Sequence, residues 1–188
     1  MLISKRLCYY GYMKITITSF MQAMMAARDY KHSHYISLVG PKDEFFKLPR
    51  DHLRLFFDDV EDASAKDWKA PTREDVDQII EFAKTLPSDA DLLIHCWAGI
   101  SRSTAAAIGI CCFKEMAPGE ALKHVREIRE ATLKKGYMVL PNRLIIKHFD
   151  DALDLKGELC RVVDEYYAGL PLIGVTTLPN RGGWNTTE

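Results

Sequence analysis

Residues 91–104 read Asp91-Leu92-Leu93-Ile94-His95-Cys96-Trp97-Ala98-Gly99-Ile100-Ser101-Arg102-Ser103-Thr104, and this stretch decides the fold. An apolar run ends in His95-Cys96, a short segment containing Gly99 follows, and Arg102-Ser103 leads into Thr104-Ala105-Ala106-Ala107, where small residues favour a helix. The pattern predicts strand, tight loop, helix. Leu92-Leu93-Ile94 lacks alternation, which predicts a strand buried on both faces. The expected class is therefore α/β, with a central, mostly parallel sheet of about four to five strands flanked by helices.

A loop closing onto a helix N-terminus turns unpaired backbone N–H groups inward, and the helix dipole adds partial positive charge there. That geometry suits an oxyanion such as phosphate. Cys96 stands at the start of the loop and Arg102 six positions on, so the thiolate is the favoured form near neutral pH. A free cysteine has a pKa of about 8.5, and an efficient nucleophile needs a drop of roughly 2 units, near 3 kcal/mol. A helix terminus supplies about 0.3–1 kcal/mol when exposed and about 2 when partly buried. The remainder must come from Arg102, loop amides and nearby hydroxyls. Arg102 can also hold two phosphate oxygens at once with its planar fork, and Gly99 is read as the turn where a side chain would collide with the bound anion.

The order His95, Cys96, two residues, Gly99, two residues, Arg102, Ser103 resembles the signature loop of the cysteine-dependent protein tyrosine phosphatases, nearest to the compact, prokaryotic-type dual-specificity-like branch. Low-molecular-weight phosphatases and rhodanese-like sulfurtransferases share a cysteine and an arginine six apart, but in the former the loop lies near the N-terminus and the acid follows it. The resemblance implies a phosphatase-like fold, no cofactor and no metal. It implies that Cys96 attacks phosphorus, that Arg102 clamps the equatorial oxygens, that His95 orients and acidifies the thiol, and that Ser103 stabilises the departing thiolate. Trp97, Ala98, Gly99, Ile100 and Ser101 would form the phosphate-binding loop, with Trp97 either an aromatic wall beside the substrate or packed beneath the loop.

Working outward, Leu53, Leu55 and Phe57 alternate along a predicted strand that runs into Asp58-Asp59-Val60-Glu61-Asp62. Cleaving an aryl phosphate expels a poor leaving group, so a positioned carboxylic acid should protonate it, for a gain of about 10²- to 10⁴-fold. The resembled enzymes carry that acid on a loop after a strand, several tens of residues before the cysteine. Asp59 lies 37 positions ahead of Cys96 and continues the odd-numbered phase of the strand, so it is preferred over Asp58, with Asp62 third. A solvated acidic loop is the plain alternative.

The remaining pattern gives strands at Met13–Ser19 and Tyr35–Val39 and helices at Phe20–Arg28, from Pro71-Thr72 to Leu86, from Arg102 to about Met116, at Ala121–Leu133, from Pro141-Asn142-Arg143 to about Leu155, and at Glu158–Tyr167. The helix opening at Thr72 is expected to pack on the sheet beside the active loop. Ala117-Pro118-Gly119 reads as the close of the helix before it. Met21, Met24 and Met25 read as packing residues. Asn142 is either a helix cap or, as in many relatives of the resembled family, an amide bracing the phosphate loop. His32 and His34 lack the further ligands a metal needs, and adjacent Cys111 and Cys112 read as packing residues rather than disulfide partners of Cys96. Residues 1–168 are expected to form one phosphatase domain. Within it, 1–12 are either a flexible or a non-native extension and Met13 is an alternative start; 169–188 form a tail carrying a sequon at Asn185-Thr186-Thr187.

The 188 residues, 47% hydrophobic and 27% charged, suit one globular domain with a sizeable core. A net charge of −1 without a basic block argues against nucleic acid as a partner. No apolar run approaches the roughly 20 residues of a membrane span. Five cysteines without metal or disulfide spacing point to a reducing cytoplasm. The expected substrate is a phosphorylated protein or another aryl phosphate, with phosphoserine, phosphothreonine and small-molecule esters open. Uncharged Trp97, Ala98, Ile100 and Ser101 argue against a highly phosphorylated headgroup. The competing classes are a phosphoprotein-binding module without turnover and a rhodanese-like sulfurtransferase.

Overall fold

The computed structural model describes residues 13–29, 32–43, 51–132 and 139–170. Residues 1–12, the tail from 171 with its sequon, and Leu133 lie outside the described residues. The elements in chain order are β1 (Lys14–Ser19), α1 (Phe20–Arg28), β2 (His34–Val39), β3 (Asp51–Phe56), α2 (Arg73–Thr85), β4 (Asp91–Cys96), α3 (Arg102–Phe113), α4 (Pro118–Thr132), α5 (Arg143–Ala152) and α6 (Glu158–Ala168). Among the described residues there is one sheet, of four strands in the order β1-β4-β2-β3, and every pairing is parallel.

β4 has a hydrogen-bonded neighbour on each side and helices over both faces, and therefore reads as a continuous apolar run. Successive residues nonetheless serve opposite faces. Leu92, Ile94 and Cys96 join Ile36, Leu38 and Leu55 in the larger core, under α2 to α6. Leu93 joins Tyr35 and Val39 on the other face, covered by Ala23 and Ala27 of α1. The parallel register sets Ser19 opposite Cys96, so β1 and β4 end level and the turn into α1 meets the loop after Cys96. There the Phe20 N–H donates to the Trp97 carbonyl at 3.0 Å.

Local signals fix several starts. Thr72 and Asp75 form a reciprocal capping box at α2, and Ser19 and Gln22 do the same at α1. Other expectations need correction. Pro118 opens α4 instead of closing α3, because a proline at the first helical position gives up an N–H that has no intrahelical partner anyway. α3 stops at Phe113, three residues short of Met116, and Glu115 turns to φ +67°. α2 packs on the sheet as expected, against β3 as well as α5 and α3, with Val76, Ile79, Ile80 and Ala83 in the same core as Leu92 and Ile94. Met24 packs as expected, but Met21 and Met25 stand 68% and 67% exposed on the outer side of α1. α5 ends at Ala152, short of Leu155, in a corner with positive φ at Asp154, Lys156 and Gly157. Buried Asp150 accepts there from the N–H groups of Gly157, Leu159 and Cys160, capping α6, whose own N-cap glycine has no side chain to do so.

Candidate active site

β4 delivers Cys96 to the C-terminal edge of the sheet, facing the start of α3. Its Sγ lies 3.2 Å from Ser103 Oγ and accepts the Gly99 N–H at 3.3 Å, so two polar groups already address the sulfur. Gly99 has φ +72°, and a Cβ there would meet the Thr18 carbonyl carbon and oxygen at 2.6 Å and Ser19 N at 2.9 Å. The backbone of β1 thus requires glycine here, a neighbour the sequence did not show.

Arg102 is 5% exposed. Its Nη1 donates to the Phe57 carbonyl at 2.8 Å, which fixes the guanidinium plane. Nε lies 3.7 Å from Asp59 Oδ2 and has no hydrogen-bond partner among the described residues. A buried, permanently charged group with an unspent donor is costly unless an anion meets it. α3 adds to that demand. Ser101 occupies its N-cap position but makes no capping bond, its hydroxyl donating instead to Asp59 Oδ1 at 2.7 Å. The first N–H groups of the helix are left for an incoming acceptor.

The acidic loop resolves into three different environments. Asp59 Oδ1 accepts from both Ser101 Oγ and Asn142 Nδ2, the latter at 2.9 Å, and Oδ2 faces Arg102. Asp58 turns away: its Oδ2 accepts the Lys69 N–H at 2.9 Å and its own N–H donates to the Lys69 carbonyl, which closes the loop between them. Asp62 is exposed and accepts from the N–H and hydroxyl of Ser64, which hold its carboxyl below the usual range. Of the three aspartates, Asp59 is the one brought to Ser101 and Arg102. Glu61 anchors the loop from the other side by accepting the Arg143 N–H at 2.8 Å, at the positive end of α5.

Asn142 meets the first of the two alternatives, the helix cap, while its side-chain amide braces the acid loop instead of the phosphate loop. Its Oδ1 caps α5 by accepting the Leu144 and Ile145 N–H groups, and its Nδ2 donates to Asp59 and to the Val60 carbonyl. The amide braces the acid loop, while the Asn142 backbone N–H reaches the phosphate-loop side at the Ser101 carbonyl, 3.4 Å away. α6 steadies the approach to α5, since Tyr166 and Tyr167 donate their hydroxyls to the carbonyls of Val139 and Pro141.

His95 is fully buried on the α1 side of the sheet, its Nε2 2.6 Å from Ser37 Oγ. Burial lowers its pKa to about 3, so the ring is neutral near pH 7. Trp97 is 39% exposed and its ring lies 5.5 Å from that of Phe20, which makes it a rim residue rather than one packed beneath the loop. Ile100 is buried and its carbonyl accepts the Leu140 N–H; Ala98 is half-buried. Away from the site, Cys111 and Cys112 are buried in α3 and burial pushes both thiols up to about 12. Nine helical rises of about 1.5 Å separate Cys111 from Arg102, too far for a bridge to Cys96. His32 pairs with Asp91 and His34 with Asp51, at the opposite end of the strands.

Sequence reasoning did not find the pairing of Ser101 with Asp59, the anchor at Glu61 or the partner of His95 at Ser37. The first two bridge segments some 40 and 80 residues apart, and no local pattern announces them. The third follows from the register, which sets Ser37 opposite His95.

Comparison with known proteins agrees with this architecture. A family model described as PTP-like phytase, inositol hexakisphosphate, matches residues 64–114. No curated protein matches the chain. Among solved structures, DUSP15 is similar with a TM-score of 0.54 at 17% identity, over 82% of this chain and 93% of that one. The Yvh1 phosphatase domain from Chaetomium thermophilum gives 0.51 at 18% identity, over 79% and 95%. Human DUSP28 gives 0.55 at 14% identity, over 78% and 92%. The fold is that of the cysteine-dependent phosphatases. Within it, the chain resembles the dual-specificity-like branch.

Proposed function

We propose that this protein is a metal-independent phosphomonoesterase acting on phosphotyrosine or another aryl phosphate through a phosphocysteine intermediate. The observation that carries the reading is the meeting of Asp59 with the Cys96 loop: a carboxylate from a loop some 40 residues upstream rests on Ser101 and faces Arg102. A module that only held phosphate would need the cradle but not the acid, and sulfur transfer would need neither Asp59 nor its bracing by Asn142.

In the first step Cys96 Sγ attacks phosphorus, the bond to the ester oxygen breaks, and Asp59 gives that oxygen its proton. Asp59 Oδ1 already accepts two hydrogen bonds, so the proton is carried on Oδ2. Arg102 Nε and the N–H groups opening α3 receive the equatorial oxygens as charge builds on them. In the second step water attacks phosphorus, Asp59 takes its proton, and the S–P bond breaks. The sulfur leaves as a thiolate, with Ser103 Oγ 3.2 Å away to stabilise it. We assign the catalytic unit to residues 1–168. A thiol nucleophile with no disulfide partner among the described cysteines suits the cytoplasm, and no described helix is long and apolar enough to cross a membrane.

The matching family model, described as PTP-like phytase, inositol hexakisphosphate, favours a second reading as a polyphosphate phosphatase. The loop weighs against it: positions 97–101 carry no cation, and the Asp59 carboxylate faces Arg102. The test is single-turnover hydrolysis of an aryl phosphate with a chelator present, followed by locating the trapped phosphate by mass spectrometry. Phosphate on Cys96 is expected. Binding without release makes the protein a module, and preference for inositol hexakisphosphate over the aryl ester supports the second reading.

A further inference from the structure

On the α1 face of the sheet, three polar side chains from three strands stand in line. Ser37 Oγ on β2 lies 2.6 Å from His95 Nε2 on β4 and 2.7 Å from His52 Nε2 on β3. Ser37 and His95 are wholly buried, and His52 is half-buried on the edge strand against the ring of Tyr35. The three belong to the even or odd phase of their strands that faces α1, so the line runs across the sheet from its edge to the residue before the nucleophile. Nothing in the chemistry of the phosphate cradle itself calls for Ser37 or His52.

We propose that Ser37 and His52 are positioning residues for Cys96: the Ser37 hydroxyl, oriented by His52, fixes the tautomer and plane of His95 and through it the start of the phosphate-binding loop. The proposal rests on the nucleophilic role given to Cys96 above. The argument is a count of protons. A hydroxyl has one hydrogen to give, and two ring nitrogens at 2.6 and 2.7 Å cannot both be acceptors of it, so one ring must present Nε2–H. Neutral His95 has a single N–H, and the neighbouring Cys96 backbone favours an imidazole that keeps its proton on the Cys96 side. The proposed arrangement therefore puts that proton on Nδ1, with Nε2 accepting from Ser37. Ser37 in turn accepts from Nε2–H of His52. The chain has one direction, His52 to Ser37 to His95 to Cys96, and a hydroxyl held from both sides leaves the buried imidazole no alternative tautomer.

The experiment reads the thiol and the ring, not turnover. Cys96 alkylation by iodoacetamide is followed against pH by peptide-resolved mass spectrometry, and the His95 tautomer by nitrogen NMR of the ring. Wild type should show His95 protonated on Nδ1. Ser37→Ala should lower the alkylation rate at pH 6 about fivefold, matching the loss of one hydrogen bond of about 1 kcal/mol, and move the midpoint upward. His52→Leu should shift the profile in the same direction, and His52→Gln, which keeps an N–H donor, should restore it. Because His52 is only half-buried, its two variants keep the test open should Ser37→Ala fail to fold. An Nε2–H tautomer of His95 in wild type, or unchanged profiles in folded Ser37→Ala and His52→Leu, overturns the proposal. A coupled thiol profile in a protein without aryl phosphatase activity would sink the proposed function and leave this inference standing; an active phosphatase with an uncoupled profile does the reverse.

Discussion

Replacing Asn142 separates the two tasks this wholly buried amide performs. Asn142→Ala removes two bonds accepted at the start of α5, at 3.1 and 3.0 Å, and two donated to the acid loop, at 2.9 and 3.1 Å. The cap contributes about 1 kcal/mol. The two donated bonds contribute about 2 kcal/mol together, more to the Asp59 carboxylate than to the Val60 carbonyl. The alanine variant should therefore lose about 3 kcal/mol, a large share of the roughly 5–15 kcal/mol that holds a domain. Asn142→Ser keeps a capping oxygen and should recover about 1 of those 3 kcal/mol. Neither variant holds Asp59, so both should lose activity more on an ester with a poor leaving group, such as phenyl phosphate, than on p-nitrophenyl phosphate, which hardly needs the acid. Urea unfolding gives the first comparison and leaving-group dependence the second. Equal midpoints for Ala and Ser would refute the cap, and a loss of rate equal for both esters would refute the brace.

Arg102→Lys should cut kcat by about 10²-fold or more with little recovery at high substrate, since a point charge cannot keep the Phe57 contact and serve two oxygens; an unchanged kcat removes the clamp from the mechanism. Asp59→Ala should flatten the limb of the pH–rate profile that reports the general acid, and a limb left intact would exclude Asp59 as its source. Gly99→Ala should destabilise by about 2 kcal/mol or more and lower activity with it, because the added Cβ meets the Thr18 backbone at 2.6 Å at a positive φ; a melting temperature within 1 °C of wild type, on the order of a few tenths of a kcal/mol, counts against that packing. His95 is neutral when folded, its pKa lowered from 6.5 to about 3, so the unfolded chain binds the extra proton first. Its contribution to stability is whole above pH 6.5 and falls by about 1.4 kcal/mol per unit as the pH drops toward 3. His95→Gln should lose less stability than wild type between pH 7 and 5, measured by urea unfolding, and parallel curves would contradict the burial of an uncharged ring.

What could be read from the chain alone was whatever short-range chemistry fixes. Leu92-Leu93-Ile94 is apolar throughout because both faces of β4 are covered, and Thr72 with Asp75 caps a helix three residues away. Pro118 is ambiguous in the chain alone, because a proline between two helices serves as well to open the second as to close the first. The turn at Gly99 is legible in the chain, but the β1 backbone that also excludes a side chain there lies some 80 residues earlier. Asp58, Asp59 and Asp62 are chemically alike in sequence. Lys69 takes the first, Ser101, Asn142 and Arg102 gather around the second, and Ser64 turns the third outward.

The sequence by itself determined the strand, loop and helix around Cys96, and with them the offset from nucleophile to guanidinium, because those residues are bound together by local geometry over a few peptide units. Only the tertiary structure decided which aspartate comes to Ser101 and Arg102, what Asn142 holds, and how Ser37 and His52 line up behind His95. Those choices depend on strand register and on loops docking across tens of residues. A hydrogen bond forms wherever the fold brings a donor to an acceptor, however far apart the chain has placed them.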